Sequence, residues 1–176
     1  MKFSKTWAVA AAMVALASTA QAELISQDNG TVLDTKTNLL WLQNWNVNGV
    51  QIWTTQKAWA ETGLDGFAGS NDWVLPSKGQ YADLFTAYGN LTLVPQFVNV
   101  QPRVGYWSGT EVTGGELASY FVPTTGFQLD VFQGMTFGGV AVRDADVTTA
   151  VPEPQTLALV LLALGATAIV RRRRPG

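Results

Sequence analysis

Any chemistry done by this chain has to come from carboxylates, amides and indoles. Its 176 residues include no cysteine and no histidine. That removes disulfides, the usual Cys/His zinc sites, a cysteine nucleophile, and any triad or general base that needs an imidazole. A carboxylate pair of the kind that hydrolyses glycosides remains open. Asp65, Asp72, Asp83, Glu111, Glu116 and Asp130 are its candidates, but spacing alone brings no two of them together. No catalytic residue, cofactor or metal is therefore assigned. Asn71-Asp72 beside Trp73, and Asp144 with Asp146, have the donor type for calcium. Their plainer reading is a turn tied by its own side chains and a solvated domain end.

Six tryptophans lie beyond residue 22: Trp41, Trp45, Trp53, Trp59, Trp73 and Trp107. Indole rings suit the apolar C–H faces of sugars, with neighbouring amides bonding the hydroxyls. Asn44, Trp45, Asn46 and Asn48 place one ring among amides in a polar loop and form the candidate glycan-facing set. Trp41, Trp73 and Trp107 are expected in the core, where large residues fill a small domain. Residues 23–150 carry Lys36, Lys57, Lys78, Arg103 and Arg143 against twelve carboxylates, a net −7. Nucleic acid is excluded as a partner, since it needs clustered Lys and Arg. A polyanionic glycan would be repelled, so a neutral or cationic polysaccharide fits better.

The elements that must position these residues are partly readable. Asn29-Gly30 predicts a hairpin turn, and Leu39-Leu40-Trp41-Leu42 a short buried strand. Thr54 is a candidate N-cap for a helix over Thr55 to Thr62, stopped by Gly63, with Ala58 and Trp59 toward the core. Gly66 to Asn71 reads as a loop. Ser77 and Gln80 form a capping box. Tyr81, Leu84, Phe85 and Tyr88 then make one apolar face, and Gly89 closes the helix. Short strands are expected at Tyr106 to Ser108, Ala118 to Val122, Phe127 to Phe132 and Phe137 to Val142. Strand, two helices and a run of strands make an α+β domain over residues 23–148.

The two ends read as addresses. Lys2 and Lys5, the apolar stretch Trp7 to Ala17, and Ala20-Gln21-Ala22 form a signal peptide over residues 1–22, cleaved after Ala22. Residues 149–176 hold Val151-Pro152-Glu153-Pro154, an apolar helix over 156–170, and Arg171, Arg172, Arg173 and Arg174. The arginines should stay in the cytoplasm. The run from Leu157 to Val170 spans ~21 Å at ~1.5 Å per residue, short of the ~30 Å bilayer core. It is a weak, temporary anchor. This three-part tail resembles the PEP-CTERM sorting signal. The resemblance implies an exosortase, a membrane cysteine transpeptidase, as processing partner. It would cut near Pro152-Glu153-Pro154 and deliver the body to the cell surface or extracellular matrix. Residues 156–170 would hold the chain in the inner membrane until then. A plain tail anchor is the alternative.

The body carries a second resemblance. Asp34-x-x-Thr37 precedes Leu39-Leu40-Trp41; a helix bears Trp53 and Ala58; Asn71-Asp72-Trp73-x-Leu75-Pro76 enters a second helix; Tyr106-Trp107-Ser108 and a final Val142-Arg143 follow. This order resembles the C-terminal domain of Lcl-type collagen-like bacterial adhesins over residues 30–144. The resemblance implies a C-type lectin-like, formylglycine-generating-enzyme-like fold, with two short helices packed on irregular antiparallel sheet. This chain departs from that family at Val74, where Arg is usual, at Gln80 or Tyr81, where Glu is usual, and in lacking a cysteine pair near Trp59 and Arg143. The function expected is a non-catalytic glycan-binding or adhesion domain, exported and exosortase-sorted to the surface or exopolysaccharide matrix. A structural or protein-interacting matrix component without a glycan site is the alternative, and a glycoside hydrolase is third.

Overall fold

Asn29-Gly30 turns the chain as its residue types predict. Gly30 takes φ 79°, joining β1 (Leu24–Ser26) to the antiparallel β2 (Thr31–Asp34). The next reversal is built by Asp34. Its carboxylate accepts the Lys36 N–H at 3.0 Å and the Thr37 hydroxyl at 2.7 Å. Asn38 takes φ 57°, and β3 (Leu39–Leu42) returns beside β2. The last strand among the described residues, β9 (Val142–Asp144), pairs with the other side of β3, so the sheet runs β1-β2-β3-β9. A computed structural model describes residues 23–112 and 114–145. The signal segment with Ala20 and Ala22, Asp146, and the whole tail (Pro152, Glu153, Pro154, the apolar run and Arg171 to Arg174) lie outside the described residues.

The first helix differs from its prediction. α1 runs Trp53–Ala58 and continues as a π-helical turn, Trp59–Gly63. Thr54 is inside it and does not cap it; Ile52 stands at the cap and makes no side-chain cap bond. Tertiary bonds hold the start instead: the Trp53 N–H donates to the Gln133 carbonyl at 3.1 Å and its indole N–H to the Ser108 carbonyl at 2.8 Å. The inward residues are Trp53, Gln56 and Ala60, while Ala58 is exposed and Trp59 half-buried. The predicted helix leaves out Trp53, the residue that with Gln56 and Ala60 marks the buried face. Gly63 ends the turn as expected.

The second helix forms as its local signals dictate. α2 spans Lys78–Tyr88 with a complete Ser77/Gln80 capping box and Gly89, at φ 68°, as its stop. Tyr81 and Leu84 are fully buried, with Phe85 and Tyr88 half-buried behind them.

β5 (Tyr106–Glu111), β6 (Leu117–Phe121) and β7 (Gln128–Phe132) form an antiparallel sheet with β7 at one edge. Alternation sends successive residues to opposite faces. Tyr106 and Phe121 join a core with Trp41, Trp45, Tyr81, Leu84 and Val142. Trp107 and Ala118 join a second core with Leu40, Trp53, Trp73 and Leu75. Phe137 to Val142 is not one strand. β8 (Thr136–Phe137) pairs with β4 (Gln51–Ile52), and β9 begins only at Val142. Gly138 and Gly139 part them because the chain is pressed against other groups there. A Cβ would lie 2.9 Å from the Tyr106 ring at Gly138 and 2.4 Å from Gln56 Oε1 at Gly139. The described residues form an α+β body, a few short helices with short antiparallel sheets.

Candidate functional site

The loop after β3 is where the sequence placed the glycan-facing set. Its backbone is fixed first. The Trp45 N–H donates to the Val98 carbonyl at 3.0 Å, and the Val98 N–H donates to the Gln43 carbonyl at 2.9 Å. Asn44 spends its side-chain oxygen on the loop itself, accepting from Asn46 N–H at 3.0 Å and Asn99 Nδ2 at 3.1 Å. Asn48 donates to Gln56 Oε1 at 3.0 Å. Trp45 is 0 % exposed. Its ring stacks beside Trp41 at 6.2 Å and meets Phe97 at 5.2 Å and Tyr106 edge-on at 5.0 Å. The reading of Trp45 as a glycan-facing ring is corrected here: the ring is in the core, while Asn46 is exposed and Asn44 and Asn48 are half-buried. The eight-residue loop between β3 and β4, residues 43–50, can send its one large apolar side chain inward, and the aromatic core takes it. What the loop shows to solvent is Asn46 with Val47 and Val50.

Gln56 organises this region and was not anticipated. It is fully buried. Its amide donates to the Gly49 carbonyl at 2.8 Å and the Phe137 carbonyl at 3.1 Å, while its oxygen takes Asn48. It thus ties the loop, α1 and β8 together. The signal for it was present: Trp53, Gln56 and Ala60 fall at i, i+3 and i+7 of one helix face.

The Asn71-Asp72-Trp73 segment and Arg143 come together across β9. The Val74 and Val142 backbones bond each other in both directions, at 3.0 and 2.8 Å. Arg143 lies 5.6 Å over the Trp73 ring, and its Nε is 4.0 Å from Asp72 Oδ1. Trp73 donates its indole N–H to the Phe67 carbonyl at 3.0 Å. Asn71 accepts the Gly66 N–H at 2.6 Å, and Asp72 accepts the Ser70 hydroxyl. These side chains tie their own turn. Among the described residues no group of three or more metal-ligating side chains gathers. Asp144 is exposed at the end of β9. A cavity of about 100 Å³ opens beside Arg143, lined also by Asn29, Thr31, Leu33, Leu40 and Ala145. Small-molecule sites usually hold ~300 Å³ or more, and this cavity is smaller.

Two of the candidate carboxylates, Asp72 and Asp130, are held by neighbouring side chains, as is Asp34, which lies outside the candidate set. Asp34 is 1 % exposed and also accepts the Tyr88 hydroxyl at 2.8 Å. Burial, reinforced by that carboxylate, pushes the Tyr88 phenol far above its ordinary range. Asp130 accepts from Ser119 and, at 3.1 Å, from Lys78. The Ser119 hydroxyl, then Lys78, hold it below the usual carboxylate range. A glycosidase's general acid needs the opposite shift.

Ala145, the last described residue, is tied back to the β2–β3 turn. Its N–H donates to the Asn38 carbonyl at 2.9 Å, and its own carbonyl accepts from Asn38 Nδ2 at 3.2 Å. Just beyond it, residues 150–174 match the PEP-CTERM protein-sorting motif. The chain carries an exosortase sorting signal. It is therefore an exported protein, handled at the membrane by an exosortase and then placed at the surface. The PEP-CTERM match covers the tail and leaves the body outside it. No curated protein matches the chain. Among the described residues no helix is long and apolar enough to cross a membrane.

Proposed function

We propose that the sorting signal delivers a non-catalytic body that acts as a structural, protein-interacting component of the cell surface or exopolysaccharide matrix. The observation that carries this is the burial of Trp45 with the internal use of Asn44 and Asn48. The glycan-binding reading rested on that ring and those amides. The internal bonding of two of the six candidate carboxylates, Asp72 and Asp130, supports a body without catalysis. The likeness to the Lcl-type domain, and the lectin-like fold it implies, belong to this proposal. The meeting of Trp73 and Arg143, two separate pieces of that pattern, supports it.

The test is intact mass and location of the protein in its own host, with and without the exosortase, followed by retention on the host's polysaccharide. The expected result is a species starting at Glu23, cut near Pro152-Glu153-Pro154, released from the inner membrane only when the exosortase is present, and not retained by the isolated polysaccharide. Tight retention that Trp45→Ala abolishes without loss of stability would return the glycan-binding reading. A species keeping Arg171 to Arg174 in the presence of the exosortase would refute processing.

A further inference from the structure

Among the described residues β7 is an edge strand, and it is unusually apolar for its position. Phe127, Leu129 and Phe132 are 52, 48 and 60 % exposed. Natural edge strands are normally blunted by lysine, proline or a bulge, because their free N–H and C=O groups invite another strand. Within Gln128–Phe132 β7 has no lysine, proline or bulge and pairs with β6 without a register shift, and its one charge, Asp130, is paired with Lys78.

Register shows which backbone groups are free. Val122 N–H bonds the Phe127 carbonyl, and Gln133 N–H bonds the Glu116 carbonyl. In an antiparallel ladder every second residue faces the partner strand. Phe127, Leu129 and Val131 therefore turn their backbone to β6, and Gln128 and Asp130 turn theirs outward.

We propose that this edge pairs antiparallel with the same edge of a second copy, about a two-fold axis at Leu129. Such a contact is isologous and closes on itself. In this register Gln128 of each copy faces Asp130 of the other, and each such pair exchanges both backbone bonds. Leu129 faces Leu129 of the second copy, and Phe127 faces Val131. Phe132 falls opposite Gly126, which has no side chain to obstruct it. Charge disfavours the neighbouring register centred on Asp130, which sets two carboxylates face to face; in the one centred on Gln128, Asp130 falls opposite Gly126 and loses the Gln128 amide across from it. Charge also favours a second copy over a basic or acidic foreign peptide, because Lys78 already neutralises Asp130 at 3.1 Å. Each copy covers on the order of 300 Å² of apolar surface this way, against ~800 Å² per partner in a stable complex. The contact is accordingly weak in dilute solution and gains from the crowding of a surface layer. It deepens the interaction role proposed above by naming the partner, and rests on that reading.

The chain's lack of cysteine makes the test direct. Facing Cα atoms of a non-hydrogen-bonded antiparallel pair are ~4.5 Å apart, inside the range a disulfide accepts. The processed protein is purified from its host and oxidised mildly. Leu129→Cys should form a covalent dimer at least about tenfold faster than Thr86→Cys on the exposed side of α2 or Phe132→Cys on β7 itself. Sedimentation should show concentration-dependent dimers that Leu129→Glu weakens by about tenfold or more. Monomers at every concentration, equal crosslinking rates, or a Leu129→Cys adduct with a different host protein would each overturn the pairing. Both readouts use purified protein, so they fail separately from the sorting experiment in the host.

Discussion

Truncating Trp45 tests whether the loop after β3 is a binding surface or part of the core. Trp45→Ala removes a fully buried ring lying against Trp41, Phe97 and Tyr106. Buried Trp-to-Ala changes cost ~3–5 kcal/mol through lost transfer and a residual cavity. One term opposes this: the Trp45 indole N–H has no acceptor among the described residues, and removing an unsatisfied buried donor returns roughly 1 kcal/mol. The net expectation is about 3 kcal/mol, a large part of the ~5–15 kcal/mol that holds a typical domain folded. It corresponds to a melting point lower by about 10–15 °C for a body of this size. Urea unfolding of the processed protein, followed by tryptophan fluorescence, reads it directly. Trp45→Phe keeps most of the packing and drops the orphan N–H, so it should stay within ~1.5 kcal/mol of the parent. The reasoning is refuted if Trp45→Ala unfolds within ~0.5 kcal/mol of the parent. That result joined to lost polysaccharide retention would mean the ring works at the surface.

Gln56→Leu strands two carbonyls and the Asn48 amide, and should cost ~2–4 kcal/mol in urea unfolding; Asn48→Ala should cost much less. Gly109→Ala sets a Cβ 2.7 Å from the Leu75 backbone oxygen, which cannot rotate away, so a loss of ~1–3 kcal/mol is expected from the same assay. Asp130 titrates below its unfolded value, so its contribution is present above pH ~4 and lost as pH falls through the folded value. Asp130→Asn should therefore flatten the acid limb of a stability-against-pH profile. Tyr88 titrates above its unfolded value. Its contribution is intact below pH ~10 and declines as pH rises toward the folded value, and Tyr88→Phe should flatten that alkaline limb.

Sequence alone determined whatever depends on neighbours along the chain. The Asn29-Gly30 turn, the Ser77/Gln80 capping box, the Gly89 stop and the tail are each written within a few residues. A cap or turn is satisfied by groups that spacing brings together whatever the rest of the chain does. The α+β class followed from the order of such elements. The α1 boundary was misread because Trp53 starts that helix through bonds to Gln133 and Ser108, far away in sequence. Gln56 was missed because its partners, Gly49 and Phe137, come from different elements. Arg143 reaches Trp73 only because β9, the last described strand, closes beside β3. Trp45 carried no local mark of burial: amides flank it, and only Trp41, Tyr81, Phe97 and Tyr106, folded around it, make the inside the better solvent for its ring.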